Sequence, residues 1–228
     1  MLVEPREGGN VGAAARAMKN FGFRDLVIVG RAPEDPDEKS VWWAAGAEDV
    51  LREARRVESL GEALADTNLS VATTAVRGRH VYEQLTPADL SRLAHQSLGD
   101  RDRLAIVFGR ETWGLSGQEI AMCQRTASIP TSTDYETMNL AQAVGIFCYE
   151  LGKRPSVAAK SSGAAPGDLI AALNAHTREL LMDVGFFGDK SPERMCAELQ
   201  ALAGKRMLTT REASLLLALV RQVKEKTR

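Results

Sequence analysis

No apolar run in the 228 residues approaches the roughly 20 needed to cross a bilayer as a helix. A helical membrane protein is therefore excluded. Cysteine is scarce as well: Cys123, Cys148 and Cys196 stand far apart, odd in number and in no CxxC pair. Neither a disulfide framework nor a zinc site is indicated, and no metal is expected. Charge of one sign is missing too. The 29 basic and 30 acidic side chains leave a net charge of −1, which argues against a surface that binds polyanions indiscriminately. The opening residues, Met1 to Gly9, lack the basic-then-apolar pattern of a secretory signal, so a cytoplasmic location is expected. No internal repeat is present.

What remains is the composition of an ordinary globular protein, unevenly distributed. Residues 1–155 carry 18 basic and 22 acidic side chains, a net −4, whereas residues 156–228 carry 11 and 8, a net +3. Near that boundary the chain reads Arg154-Pro155-Ser156-Val157-Ala158-Ala159-Lys160-Ser161-Ser162-Gly163-Ala164-Ala165-Pro166-Gly167. So small and polar a stretch cannot bury enough apolar surface to hold one conformation, and it reads as a linker. The expected division is a first domain at 1–152, a linker at 153–167 and a second domain at 168–228.

The first domain alternates short Val/Ile/Leu-rich runs with helical patterns. Candidate strands are Leu2–Glu4, Leu26–Val29, Leu69–Thr73, Leu104–Phe108 and Ala127–Ile129. Their lack of apolar–polar alternation fits strands covered on both faces. Asn10 is placed to cap a helix over 11–21, and Thr86 precedes Pro87 as cap and first helical residue. Ser116 with Glu119 forms a capping box. Leu140, Val144, Phe147 and Leu151 share a helical face. Such alternation implies an α/β fold, a parallel sheet with helices on both faces. Trp42 and Trp43 are expected to pack on the small residues 44–47. The second domain reads as helical only. Leu169, Leu173, Leu180 and Val184 form a stripe ended by Gly185, Ser191-Pro192 opens a second helix, and Thr209 with Glu212 caps a third, which carries Leu216 and Leu217. Three short helices make a marginal core, so they are expected to pack on one another, on the first domain or on a partner. The last residues, 224–228, read as a frayed end.

Three stretches hold more glycine, asparagine and arginine than packing requires. The first is Glu4-Pro5-Arg6-Glu7-Gly8-Gly9-Asn10-Val11-Gly12-Ala13-Ala14-Ala15-Arg16, a strand–loop–helix junction whose small residues permit close approach. The second, Phe108-Gly109-Arg110-Glu111-Thr112-Trp113-Gly114-Leu115-Ser116, narrowly misses the phosphate-binding GxxxxGK[ST] loop. Leu115 stands where that loop needs lysine, so a nucleoside triphosphatase is disfavoured. Trp113 there either stacks on a base or folds back onto the sheet, the commoner outcome. The third runs from Ile129-Pro130 through Glu136-Thr137-Met138-Asn139-Leu140-Ala141-Gln142-Ala143-Val144, a polar loop entering an apolar helix.

In order and spacing these stretches resemble the three motifs of the SpoU/TrmH class of SPOUT methyltransferases. Gly185-Phe186-Phe187, Pro192-Glu193-Arg194-Met195 and Leu208-Thr209-Thr210-Arg211-Glu212 resemble the helical extension of the TrmJ subgroup. The resemblance implies a parallel α/β sheet whose C-terminal part forms a deep trefoil knot, a rarity among folds. It further implies a homodimer that binds S-adenosylmethionine and methylates a ribose 2′-hydroxyl of tRNA, at the first nucleotide of the anticodon loop. Cofactor contacts would fall on Thr73, Thr74, Ala75, Gly109, Ile129, Glu136, Thr137 and Met138. Arg16 would be the catalytic arginine, acting beside the cofactor of the other protomer, with Asn10, Glu111 and Asn139 completing the site. Thr137 departs from the serine usual at that position but keeps the hydroxyl. Arg77, Arg79 and Arg110 are the expected RNA contacts.

The chemistry limits what Arg16 can do. Deprotonating a guanidinium at neutral pH costs roughly 7 kcal/mol at 1.36 kcal/mol per pH unit, and arginine is effectively never neutral in proteins. Arg16 is therefore read as a cation that stabilises a developing alkoxide. Glu111 and Asn139 are read as groups that hold Arg16 and the loops in place. Competing readings are methylation of another tRNA position or of rRNA, a catalytically silent knotted RNA-binding protein, and a nucleotide-dependent regulator. A Rossmann-type methyltransferase is less favoured, because no early strand leads into a GxGxG-like turn.

Overall fold

A computed structural model describes residues 1–33, 37–75, 84–153, 163–188, 191–203 and 207–227. Seven strands alternate with helices in the first 152 residues. β1 (Leu2–Val3), β2 (Val27–Val29) and β3 (Arg55–Val57) pair in parallel in the order β1-β2-β3. β4 (Leu69–Thr73), β5 (Gln84–Leu85), β6 (Leu104–Val107) and β7 (Arg125–Ala127) form a second parallel set in the order β5-β7-β4-β6. A parallel bridge from Leu2 to Phe108 joins the two sets, with the Val3 N–H donating to the Phe108 carbonyl at 2.9 Å. β1 thus sits between β2 and β6.

Both faces of this sheet are covered, as the unbroken apolar runs require. Leu2, Ile28, Leu69 and Val71 point into one core with Val11, Ala14 and Ala15 of α1 (Gly8–Asn20) and Val144 and Phe147 of α7 (Leu140–Gly152). Val3, Val27, Val29 and Ala72 point into the other. There they meet α4 (Leu60–Leu64) and α6 (Gly117–Ala121). Two short helices, α2 (Glu38–Ala44) and α3 (Glu48–Arg52), lie on the α1 side, and α5 (Pro87–Ser97) packs beside α7.

The local capping signals act as expected. Thr86 with Asp89 and Ser116 with Glu119 both close reciprocal capping boxes. Several expectations need correction. α1 begins at Gly8, not after Asn10, and its cap position, Glu7, makes no side-chain bond. β7 ends at Ala127 rather than beginning there, because Arg125 and Thr126 supply its pairing with Val71 and Ala72. β3 and β5 were not anticipated; β3 carries two arginines at the sheet edge, where charge deters further pairing. Trp42 and Trp43 stand largely exposed, edge to face with each other, and Trp43 also lies against Gly9 of α1.

The C-terminal segment forms α8 (Gly167–Asp183), α9 (Pro192–Ala203) and α10 (Thr210–Thr227). α8 packs on α10 through Leu173, Ala213 and Leu217, whereas Val184 and Leu216 of the expected apolar faces are exposed. α8 ends at Gly185, whose φ of +67° suits glycine. α10 runs on to Thr227 with Lys224 bonded to Glu179 of α8, so the end is helical and tied down rather than frayed. Residues 163–165 lie against 208–210, with the Ala165 N–H donating to the Leu208 carbonyl. This strip docks on the first 152 residues, where Asn68 Nδ2 donates to the Ala164 carbonyl at 2.9 Å. The backbone approach there is close: a Cβ on Gly167 would lie 2.3 Å from the Leu64 carbonyl oxygen.

Candidate functional site

The three glycine- and asparagine-bearing stretches meet at the carboxyl ends of β1, β6 and β7, where parallel sheets commonly bind ligands. In the first, the small residues of α1 admit other parts of this chain. A Cβ on Gly12 would lie 2.1 Å from the Ser40 carbonyl oxygen of α2, and one on Gly8 would strike the Asp37 carboxylate. Freed from capping α1, Asn10 turns its side chain toward the other two stretches.

Asn10 Nδ2 donates to Glu111 Oε1 at 3.0 Å, and its Oδ1 accepts from Asn139 Nδ2 at 2.9 Å. Glu111 also accepts from the backbone N–H groups of Arg6 (3.0 Å) and Glu7 (3.2 Å). Desolvation pushes the Glu111 pKa up, but these donors outweigh it and hold the carboxyl below the ordinary glutamate value. Asn139 Oδ1 accepts from Ala141 and Gln142 N–H, capping α7. One unbroken line of hydrogen bonds, Glu111–Asn10–Asn139, therefore fastens all three stretches together.

The second stretch folds into a closed turn. Arg110 and Gly114 exchange backbone hydrogen bonds of 2.9 and 3.2 Å, and Gly114 adopts φ +65°. The Arg110 guanidinium bonds Glu119 in two parallel contacts of 3.0 Å, Glu4 at 2.8 Å and the Gly114 carbonyl at 3.3 Å. Glu119, foremost, and Glu4 raise its pKa against desolvation. Expected as an RNA contact, Arg110 is instead occupied by carboxylates and clamps the turn to β1 and α6. That clamp and the Arg6 and Glu7 backbone donors were missed from sequence. Their partners are over 100 residues apart for Glu4–Arg110 and Arg6–Glu111.

These elements border a cavity of about 410 Å³, within the range of small-molecule sites. Thr73, Thr74, Ala75, Gly109, Ile129, Glu136, Thr137 and Met138 all line it. Ile120, Leu140 and Phe147 add an apolar wall suited to a flat heteroaromatic ring. The last two follow from the apolar face of α7, a signal read in the sequence as packing alone.

Arg16 stands apart from this cluster. It lies six residues beyond Asn10 on α1, about 9 Å along the axis and about 120° around it. Its side chain is exposed and has no hydrogen bond or ion pair among the described residues. Within this chain neither Glu111 nor Asn139 bonds it; there they hold the loops. Arg77 and Arg79 lie outside the described residues. Among the described residues no group of three or more His, Cys, Asp or Glu is placed to hold a metal, and no helix is long and apolar enough to cross a membrane.

Comparison with known proteins follows the same lines. The chain is 30% identical over 243 aligned residues to the tRNA (cytidine/uridine/adenosine-2′-O-)-methyltransferase TrmJ of Pseudomonas aeruginosa, covering 100% of this chain and 94% of that protein. Its fold matches the crystal structure of TrmJ from Z. mobilis with a TM-score of 0.83 at 31% identity, over 98% of this chain and 97% of that one. It also matches the SpoU methyltransferase AviRb of Streptomyces viridochromogenes in complex with the cofactor AdoMet, with a TM-score of 0.53 at 25% identity, over 66% of this chain and 57% of that one. The SpoU rRNA Methylase family model matches residues 1–149. With sheet, cavity and motif cluster in agreement, the chain belongs to the SpoU rRNA methylase family.

Proposed function

We propose that this protein transfers a methyl group from S-adenosylmethionine to a ribose 2′-hydroxyl of tRNA, at the first nucleotide of the anticodon loop, on cytidine or uridine. The observation that carries this reading is the Glu111–Asn10–Asn139 line, which draws three motifs to the rim of one cavity. The name of the P. aeruginosa relative supports the substrate, and the AdoMet complex of AviRb supports the cofactor.

The residues present fit that cofactor. Backbone at 73–75, 109 and 136–138 offers polar edges, and the wall formed by Ile120, Leu140 and Phe147 suits its adenine. When bound it supplies an electrophilic methyl on a sulfonium, a leaving group that needs no Lewis acid. Glu111, held ionised by four polar contacts counting Asn10 and its own backbone, anchors the loops rather than accepting the proton. Arg16 stays a cation. It steadies the alkoxide that develops on the ribose, and the hydroxyl proton passes to water or a phosphate oxygen.

Because Arg16 lies away from the cluster of its own chain, we assign it to the cavity of a second protomer in a homodimer. The same reading includes a deep trefoil knot in the C-terminal part of the sheet domain, in keeping with the fold match to TrmJ from Z. mobilis. It also includes division into a methyltransferase domain at 1–152, a linker at 153–167 whose last residues, 163–167, are docked on that domain rather than loose, a helical extension at 168–228, and a cytoplasmic location. The test is to incubate the protein with labelled S-adenosylmethionine and bulk tRNA, then digest and map the methylated nucleotide. Methylation at the first anticodon-loop position, lost in Arg16→Ala with S-adenosylhomocysteine binding retained, is expected. Methylation of rRNA alone would overturn the substrate, and an active Arg16→Ala would overturn the role of Arg16.

A further inference from the structure

Trp113 is 75% exposed, at the tip of the turn that walls the cavity. It neither folds back onto the sheet nor waves on a loose loop. Arg110 and Gly114 close the turn beneath it, the Arg110 guanidinium clamps that turn to Glu4 and Glu119, and Glu111 is pinned by three donors. A large apolar ring is thus held in water by a rigid support. Trp42 and Trp43 are also exposed, but neither lines the cavity. The segment bonded to this turn at Glu111, two residues before Trp113, also carries a cation. The backbone N–H of Arg6 bonds Glu111, while the exposed Arg6 side chain has no hydrogen bond or ion pair among the described residues. Tyr135, equally exposed, rises from the other loop that borders the cavity.

We infer that Trp113 and Arg6 form an RNA-contact pair: an unstacked base of the tRNA loop lies on the Trp113 indole, and an adjoining phosphate meets Arg6. This rests on the tRNA methyltransferase reading above and names residues that select and hold its substrate. Single-stranded loops are recognised by stacking on aromatic rings together with cationic contacts to the backbone. A flat aromatic surface also suits the adenine of the cofactor, so the experiment separates the two sources of such a ring.

The test measures tRNA KM and kcat alongside S-adenosylhomocysteine Kd by calorimetry. Wild-type transfer to tRNA is established first; its failure would defeat the functional reading itself. Given transfer, Trp113→Ala raises KM for tRNA about 5- to 150-fold, from stacking worth about 1–3 kcal/mol per base. Trp113→Phe restores most of the loss, Trp42→Ala has no effect, and in Trp113→Ala tRNA KM rises by a larger factor than cofactor Kd. Arg6→Ala weakens tRNA binding and flattens the log–log dependence of KM on salt by about 0.7–0.9, one phosphate's worth. A tRNA KM within twofold of wild type for Trp113→Ala would overturn the pair. So would a weakened cofactor Kd with tRNA KM unmoved, which would assign the indole to the cofactor instead.

Discussion

Gly109 is where the walls of the cavity are most tightly built. A Cβ there would lie 2.1 Å from the Gly114 carbonyl carbon, 2.3 Å from Leu115 N and 2.5 Å from the Gly114 oxygen. Ordinary carbon contacts fall near 3.5–4.0 Å, so in Gly109→Ala the 114–115 peptide must retreat by about 1 Å or more. That movement breaks the paired Arg110–Gly114 hydrogen bonds, each worth about 0.5–1.5 kcal/mol. Overpacking adds strain of about 1–3 kcal/mol. A loss of about 2–6 kcal/mol follows, or about 4–24 °C in Tm for a chain of this size. S-adenosylhomocysteine affinity, measured by calorimetry below the melting transition, falls at least tenfold because the displaced peptide is the cavity wall. The control is Gly117→Ala: Gly117 lines the same cavity, yet a Cβ there meets nothing within 4 Å. That variant keeps both Tm and affinity. Wild-type affinity in Gly109→Ala, or equal damage in Gly117→Ala, would refute the reasoning.

Two further outcomes are expected. Asn139→Ala removes both the cap of α7 and the bond to Asn10, and urea denaturation should show a loss of about 1–2 kcal/mol; an unchanged midpoint would deny the cap its role. Asp49 is held down to about pKa 2 by Lys19, its main partner, and by Arg24, against desolvation. A carboxyl whose folded pKa is depressed stabilises above its unfolded value, about 3.9, and loses that contribution as pH falls toward 2. Asp49→Asn should therefore lower stability at pH 7 and flatten its decline between about pH 4 and pH 2; a parallel decline would contradict the linkage.

What could be read without a structure was what the chain decides locally. Thr86 with Asp89, Ser116 with Glu119 and Thr209 with Glu212 reach only three residues, and each cap formed as written. The buried strands were legible because both faces demand apolar residues. β3 was not, since an edge strand reading Arg55-Arg56-Val57 lacks that demand. At the site, residue types were visible but their bonds were not. A local rule sends Asn10 to cap its own helix, whereas the acceptor that claims it, Glu111, is 101 positions away. The same distance effect hid the occupation of Arg110 by Glu4, 106 positions off. Trp42 and Trp43 were not placed by the small residues that follow them: Trp43 lies against Gly9 of α1, more than 30 positions away, and Trp42 faces solvent.

The seam between Leu2 and Phe108 also bears on how the chain reaches this shape during synthesis. β1, β2 and β3 close among themselves within residues 2–57, and β4 to β7 within residues 69–127. The bridge and the hydrogen bonds across that seam make them one sheet, and among the described residues the seam spans more sequence than any other strand pairing. Long-range pairings of this kind are slow to form. A nascent chain stalled before residue 104 would therefore carry β1 with one edge unsatisfied, open to pairing with other chains. That edge is covered once β6 lies beside β1, so the Leu2–Phe108 seam protects the protein from its own first strand.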